Sequence, residues 1–306
     1  MLTPAPSGAF AGSSGNLPQD SGVTGLWTAG DVVLAVGTGF AYRSSDRGVH
    51  FTRLAVPVRF PTVWGDGQGE VFVAGENGFL RSTDGGLSFA SPGAATGMIV
   101  QSIGGPTAAQ LFVAGSDGKG PLVARSRDHG ATWQRLKLPI DSGWLFDVGT
   151  TGKHDVIVTG HTDSQGVVLR STDDGNTWKR LPAFLPDRQE NRKLCFSEGT
   201  LFVSSTYGLY RTRDLGASWH LATDVGAEVL ALACRGKEVV VGGRNRALFV
   251  SHDLGVTWSS EALTGVFTAP SLVSVQAVAF AATGETYIGF EGLYTDRRGT
   301  LLRRSP

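Results

Sequence analysis

One eight-residue phrase recurs six times along this chain and limits its fold more than any other feature. It reads Ser/Thr, any residue, Asp, any residue, Gly, any residue, usually Thr or Ser, then Trp or Phe. The copies are Ser44 to Phe51, Ser82 to Phe89, Ser126 to Trp133, Ser171 to Trp178, Thr212 to Trp219 and Ser251 to Trp258. Their aspartates, Asp46, Asp84, Asp128, Asp173, Asp214 and Asp253, are spaced 38, 44, 45, 41 and 39 residues apart. Repetition at that interval means one supersecondary unit copied many times, each burying its apolar face against the next.

Each copy reads as a β-hairpin. An apolar run leads in, as in Val167-Val168-Leu169-Arg170, and a second strand leads out through the aromatic residue. The aspartate suits the turn because its carboxylate accepts backbone N–H bonds there. The glycine supplies a positive φ. The aromatic residue brings a large apolar face for burial. Ahead of each motif runs a stretch such as Val71-Phe72-Val73-Ala74, Leu111-Phe112-Val113-Ala114 or Val239-Val240-Val241, apolar at successive positions. Such strands belong in a sheet covered on both faces.

The phrase resembles the Asp-box, or BNR repeat, of sialidase-type β-propellers. With lead-ins such as Gly78-Phe79-Leu80-Arg81-Ser82, the repeats look most like those of Ycf48-type photosystem assembly factors and their bacterial relatives. The resemblance implies an all-β fold: a single seven-bladed β-propeller of four-stranded antiparallel blades. Blades are expected at about 22–56, 57–92, 93–138, 139–183, 184–223, 224–262 and 263–306, in one domain over 1–306. The seventh unit has strands at Val275–Phe280, Thr286–Phe290 and Thr300–Ser305 but no motif. It lacks a fourth strand. The segment 1–21, around Ser7 to Gly12, is expected to supply that strand and close the ring.

Composition narrows the function. Lys plus Arg equals Asp plus Glu at 27 each, so bulk charge favours neither nucleic acid nor a membrane surface. No apolar run is long enough to span a bilayer. The first twenty residues lack the basic start and apolar core of a signal peptide. The protein is therefore either cytoplasmic or exported with its leader removed. Cys195 and Cys234 fall one position out of step when blades are aligned on their second strands. The offset points them to opposite faces, so two buried thiols and no disulfide are expected.

In a propeller, ligands gather where the inner strands begin and where the blades connect. The richest link, Leu181–Leu194, carries Asp187, Arg188, Glu190, Asn191, Arg192 and Lys193. The same face should hold His161, Asp163, Tyr207, Arg244, Arg246, Tyr294, Asp296, Arg297 and Arg298, with Arg59 and Asp141 nearby. Guanidinium groups pair with carboxylates, so Arg188, Arg192, Tyr207, Arg244, Arg246, Tyr294, Arg297 and Arg298 are the candidate site, suited to an acidic segment of a protein partner. The resemblance to Ycf48-type factors implies a non-enzymatic, protein-binding scaffold, expected to be a monomer.

Two other readings stay open. A lectin would bind glycan in shallow pockets between blades. A sialidase or other glycoside hydrolase would need an arginine cluster, a nucleophilic Tyr and an acid/base Asp. For the latter, the family's early Arg-Ile-Pro motif is absent, and Arg59-Phe60-Pro61 in blade two is only an echo of it. No cofactor or metal is expected. Asp173-Asp174-Gly175-Asn176 is part of a motif and lacks the twelve-residue calcium-loop pattern.

Overall fold

In the computed structural model, residues 22–93, 97–163, 165–184, 190, 192–206, 208–261, 263, 273–292 and 301–305 are described. They form seven antiparallel sheets, each a simple meander running outward from an inner strand. The inner strands are Gly25–Ala29, Thr62–Gly65, Ile99–Thr107, Trp144–Thr150, Leu194–Ser197, Val229–Arg235 and Val273–Phe280. The chain is a seven-bladed β-propeller. Five blades show four strands and two show three. In blade two the fourth strand shrinks to a bridge between Arg81 and Ala90. The expected closing strand of blade seven lies at 1–21, outside the described residues. Blade one does meet blade seven directly. The Val23 N–H donates to the Phe290 carbonyl at 3.0 Å, and the Thr28 hydroxyl donates to Phe280 O at 2.9 Å.

The second strands carry the core. Val33–Val36, Val71–Ala74, Leu111–Ala114, Val156–Val158 and Leu201–Val203 are all buried. Side chains on both faces of a strand are covered because each blade is packed between two others. Trp64 joins this core, its ring 6.1 Å from Phe72. Among the described residues, no helix is long and apolar enough to cross a membrane.

The repeated motif is tied by its own side chains. In blade four, the Ser171 hydroxyl donates to Asp173 Oδ1 at 2.7 Å and accepts the Gly175 N–H at 2.8 Å. The Thr177 N–H donates to Asp173 Oδ1 and its hydroxyl to Oδ2, at 2.8 and 2.6 Å. This explains the Thr or Ser preference at the seventh place. Gly175, at φ +82°, could take no Cβ, which would lie 2.5 Å from Leu136 of the preceding blade.

A second pattern links neighbouring blades. The residue before the motif is arginine in blades one to five. In blades one, three and five it reaches forward to the carbonyl of the fourth motif residue of the next blade. Arg43 meets Gly85 O at 2.8 Å, Arg125 meets Asp174 O at 2.6 Å, and Arg211 meets Leu254 O at 2.6 Å. In blades two and four the arginine turns back to a carboxylate just ahead of the second strand: Arg81 to Glu70, and Arg170 to Asp155 at 3.0 and 2.7 Å. The corresponding positions in blades one, three and five are Val32, Gln110 and Thr200, none of them acidic. Blade seven follows the acidic case, with Arg303 on Glu285 at 2.9 Å. There the Tyr287 hydroxyl donates to Arg47 O of blade one at 3.0 Å instead.

The expectation of two free thiols is overturned. Cys195 and Cys234 form a disulfide, with Cα atoms 5.9 Å apart, and both residues are only half-buried. They lie on the inner strands of blades five and six. Across the gap between stacked sheets, one side chain must point forward and its partner backward. A one-residue offset therefore brings the two sulfurs together, where within a single sheet it would separate them.

Candidate functional site

Four of the inner strands carry a β-bulge near their start. The register shifts between Val100 and Ser102, Leu145 and Asp147, Val229 and Ala231, and Val275 and Ala277. The extra residues are Gln101, Phe146, Leu230 and Gln276. A bulge re-aims a side chain and often borders a site. All four line one opening of about 250 Å³ at the axial mouth of the ring. Thr24, Phe60, Arg192 and Lys193 complete the wall, so every blade contributes. The mouth continues into an axial channel lined by Ser102, Asp147, Lys193 and Gln276, among others. Asp147 there joins three blades. Its carboxylate accepts the Ser102 hydroxyl at 2.5 Å and the Leu194 N–H at 2.9 Å.

Beside the mouth lies an ionic chain across blades four, five and six. Arg192 meets Glu190 at 2.7 Å and Glu228 at 3.0 Å. Arg244 contacts the other oxygen of Glu228. Arg244's guanidinium is held above its ordinary pKa by that hydrogen bond and charge. Arg192 also sits 5.0 Å over the Phe146 ring, and Phe146 stacks on His161 at 5.5 Å. His161 Nε2 is 3.8 Å from Glu190. Two arginines thus share two glutamates. Lys193 has no ion pair among the described residues. Gln276 donates to Glu291 at 2.7 Å in the adjoining blade seven. Phe60 stands 56% exposed there, with φ at +47°.

Of the sequence-derived candidates, the structure places Arg192, Arg244 and Arg246 on this face, Arg246 in a short 3-10 turn, Arg244–Arg246, at φ +62°. Arg188, Tyr207, Tyr294, Arg297 and Arg298 lie outside the described residues. Sequence reasoning missed Gln101, Phe146, Leu230 and Gln276, because a bulge is a register shift against the neighbouring strand and leaves no mark in one strand's own sequence. It also missed Glu228, which follows Gly226-Ala227 in a short link with no motif around it. The motif aspartates are on the opposite side, in the hairpins joining third and fourth strands.

Comparison with known proteins agrees with this architecture. The family described as the DUF6242 beta propeller domain matches residues 150–273, less than half of the chain. No curated protein matches the sequence. Among solved structures, Ycf48 bound to D1 peptide is similar over 95% of both chains, with TM-score 0.71 and 19% identity. Ycf48 from Cyanidioschyzon merolae is similar over 97% of this chain and 99% of that one, with TM-score 0.73 and 16% identity. The GH74 enzyme of Niastella koreensis is matched over 93% of this chain and only 53% of its own, at TM-score 0.69 and 14% identity. At these identities the likeness is one of fold.

Proposed function

We propose that this protein is a non-enzymatic scaffold that binds an extended segment of another protein across the axial mouth. The observation that carries the reading is the mouth itself. Seven blades converge on an opening with two aromatic side chains, Phe60 and Phe146, beside Arg192 and Lys193. A few aromatic anchors and convergent polar groups in a concave site are what a bound chain requires. The similar Ycf48 structure holds a D1 peptide, which supports a peptide as the ligand class here. The segment carries a carboxylate, for which Lys193 supplies an ammonium with no ion pair among the described residues and Arg192 a guanidinium.

The glycosidase reading has less support. Glu190 and Glu228 are both engaged by arginines, so neither stands as a free carboxyl group for general-acid work. A fluorogenic sialoside assay should give no turnover above buffer. The binding reading is tested by capture from lysate with mass spectrometry, followed by peptide arrays of the captured protein. Phe146→Ala with Lys193→Glu should abolish capture while circular dichroism and melting stay native. Undiminished capture by the double variant would remove the mouth from consideration.

A further inference from the structure

We propose a second binding site, on the motif side of the ring between blades four and five, that takes the guanidinium of an arginine side chain from a protein partner. It goes beyond the mouth reading and does not depend on it.

A cavity of about 450 Å³ opens at this junction. Trp178, Leu181 and Pro182 of blade four form one wall, and Asp214 and Leu215 of blade five the other. Three other junctions show what this location accepts. There the carbonyl of the fourth motif residue receives a guanidinium from the preceding blade, at 2.6 to 2.8 Å. At the junction of seven and one it receives the Tyr287 hydroxyl. Between blades two and three the join is made differently, by Glu70 and His129 Nδ1 at 2.7 Å. Between four and five no described side chain donates to the Leu215 carbonyl.

Two substitutions in the repeat explain why. Asp155 holds Arg170 in a bidentate pair, so Arg170 lines the cavity but does not reach the Leu215 carbonyl. Lys179 stands where blade three has Gln134, whose side-chain oxygen accepts from Arg125 at 2.8 Å and steadies it. A lysine has no acceptor to offer. The slot thus keeps its acceptor but has no internal donor among the described residues. Asp214 adds a carboxylate, held well below the usual carboxylate range by the Ser218 and Thr212 hydroxyls. A guanidinium presents several donors in one plane, and an indole beside it adds attraction. Lys179 works against any cation here, which gives the proposal a handle.

The test uses the full chain and N-acetyl-arginine methylamide as probe, followed by the amide resonances of Leu215 and Gly216. The arginine probe should shift them saturably, and its neutral citrulline analogue should bind about tenfold more weakly or worse. Asp155→Ala releases Arg170 to fill the slot and should abolish the response. Lys179→Ala removes the opposing charge without supplying an acceptor for Arg170 and should tighten binding about threefold or more. An absent response in the unaltered protein, equal binding of citrulline, or undiminished binding to folded Asp155→Ala would overturn the proposal. Should Asp155→Ala not fold, Lys179→Ala decides alone, with unchanged or weaker binding against it. Free arginine binding more tightly than the blocked residue would reassign the cavity to a small molecule.

Discussion

Arg125 donates to the backbone oxygen of Asp174 at 2.6 Å, one of several bonds that join blade three to blade four. The guanidinium is 5% exposed and also meets Gln134 and Asn176. Arg125→Ala would leave those acceptors without their donor, so the expected loss is about 2–3 kcal/mol. Arg170→Ala breaks only a partly solvated pair within blade four and should cost about 1 kcal/mol or less. Urea unfolding of the two variants compares them directly. Equal losses would mean that the forward bond is not a blade-to-blade tie.

Acid should unfold the ring through its motifs. The Thr177 hydroxyl and N–H hold the Asp173 carboxyl down to about 2, from an ordinary 3.8. Asp84 is likewise held at about 2, by the Ser82 and Ser88 hydroxyls. Asp46, Asp128 and Asp214 move the same way. A folded pKa below the unfolded one contributes stability that is present above about pH 4 and is lost as pH falls through the folded value. Urea midpoints measured between pH 7 and 2 should be flat and then drop steeply below about pH 4. Asp173→Asn should lower the plateau and make that drop shallower.

The disulfide closes 39 residues of sequence between Cys195 and Cys234. Replacing both cysteines by serine should lower stability by about 3–4 kcal/mol while leaving the ring assembled. Melting curves with and without dithiothreitol should differ for the unaltered protein and coincide for the variant.

Glu228 restrains two of the three described candidate arginines. Glu228→Gln removes the negative charge between Arg192 and Arg244, so an acidic peptide should bind the mouth about three- to tenfold more tightly. Weaker binding would place the ligand's cationic end, not its carboxylate, on this face.

Much of this architecture is legible in the amino-acid sequence. The spacing of Asp46 to Asp253 marks six blades, and Val275–Phe280 with Thr286–Phe290 marks the seventh. The second strands are visible because burial on both faces leaves an uninterrupted apolar run. The disulfide was not legible. Whether an offset separates or unites two side chains depends on whether they share a sheet or face each other across two. The pairing of Arg192 with Glu228 was hidden too, since it joins separate links. The arginine ties are readable once their logic is known. An acid before the second strand, as at Glu70 or Asp155, draws the arginine back to its own blade, and its absence sends it forward.

The sharing of Glu228 by Arg192 and Arg244 has a kinetic consequence. A cluster of paired charges, on a chain whose cations and anions balance at 27 each, projects little field into the solvent. A partner would find this face by unassisted diffusion, at a rate that hardly changes with ionic strength. Selectivity among partners would then reside in how long each remains, set by contacts made only after arrival.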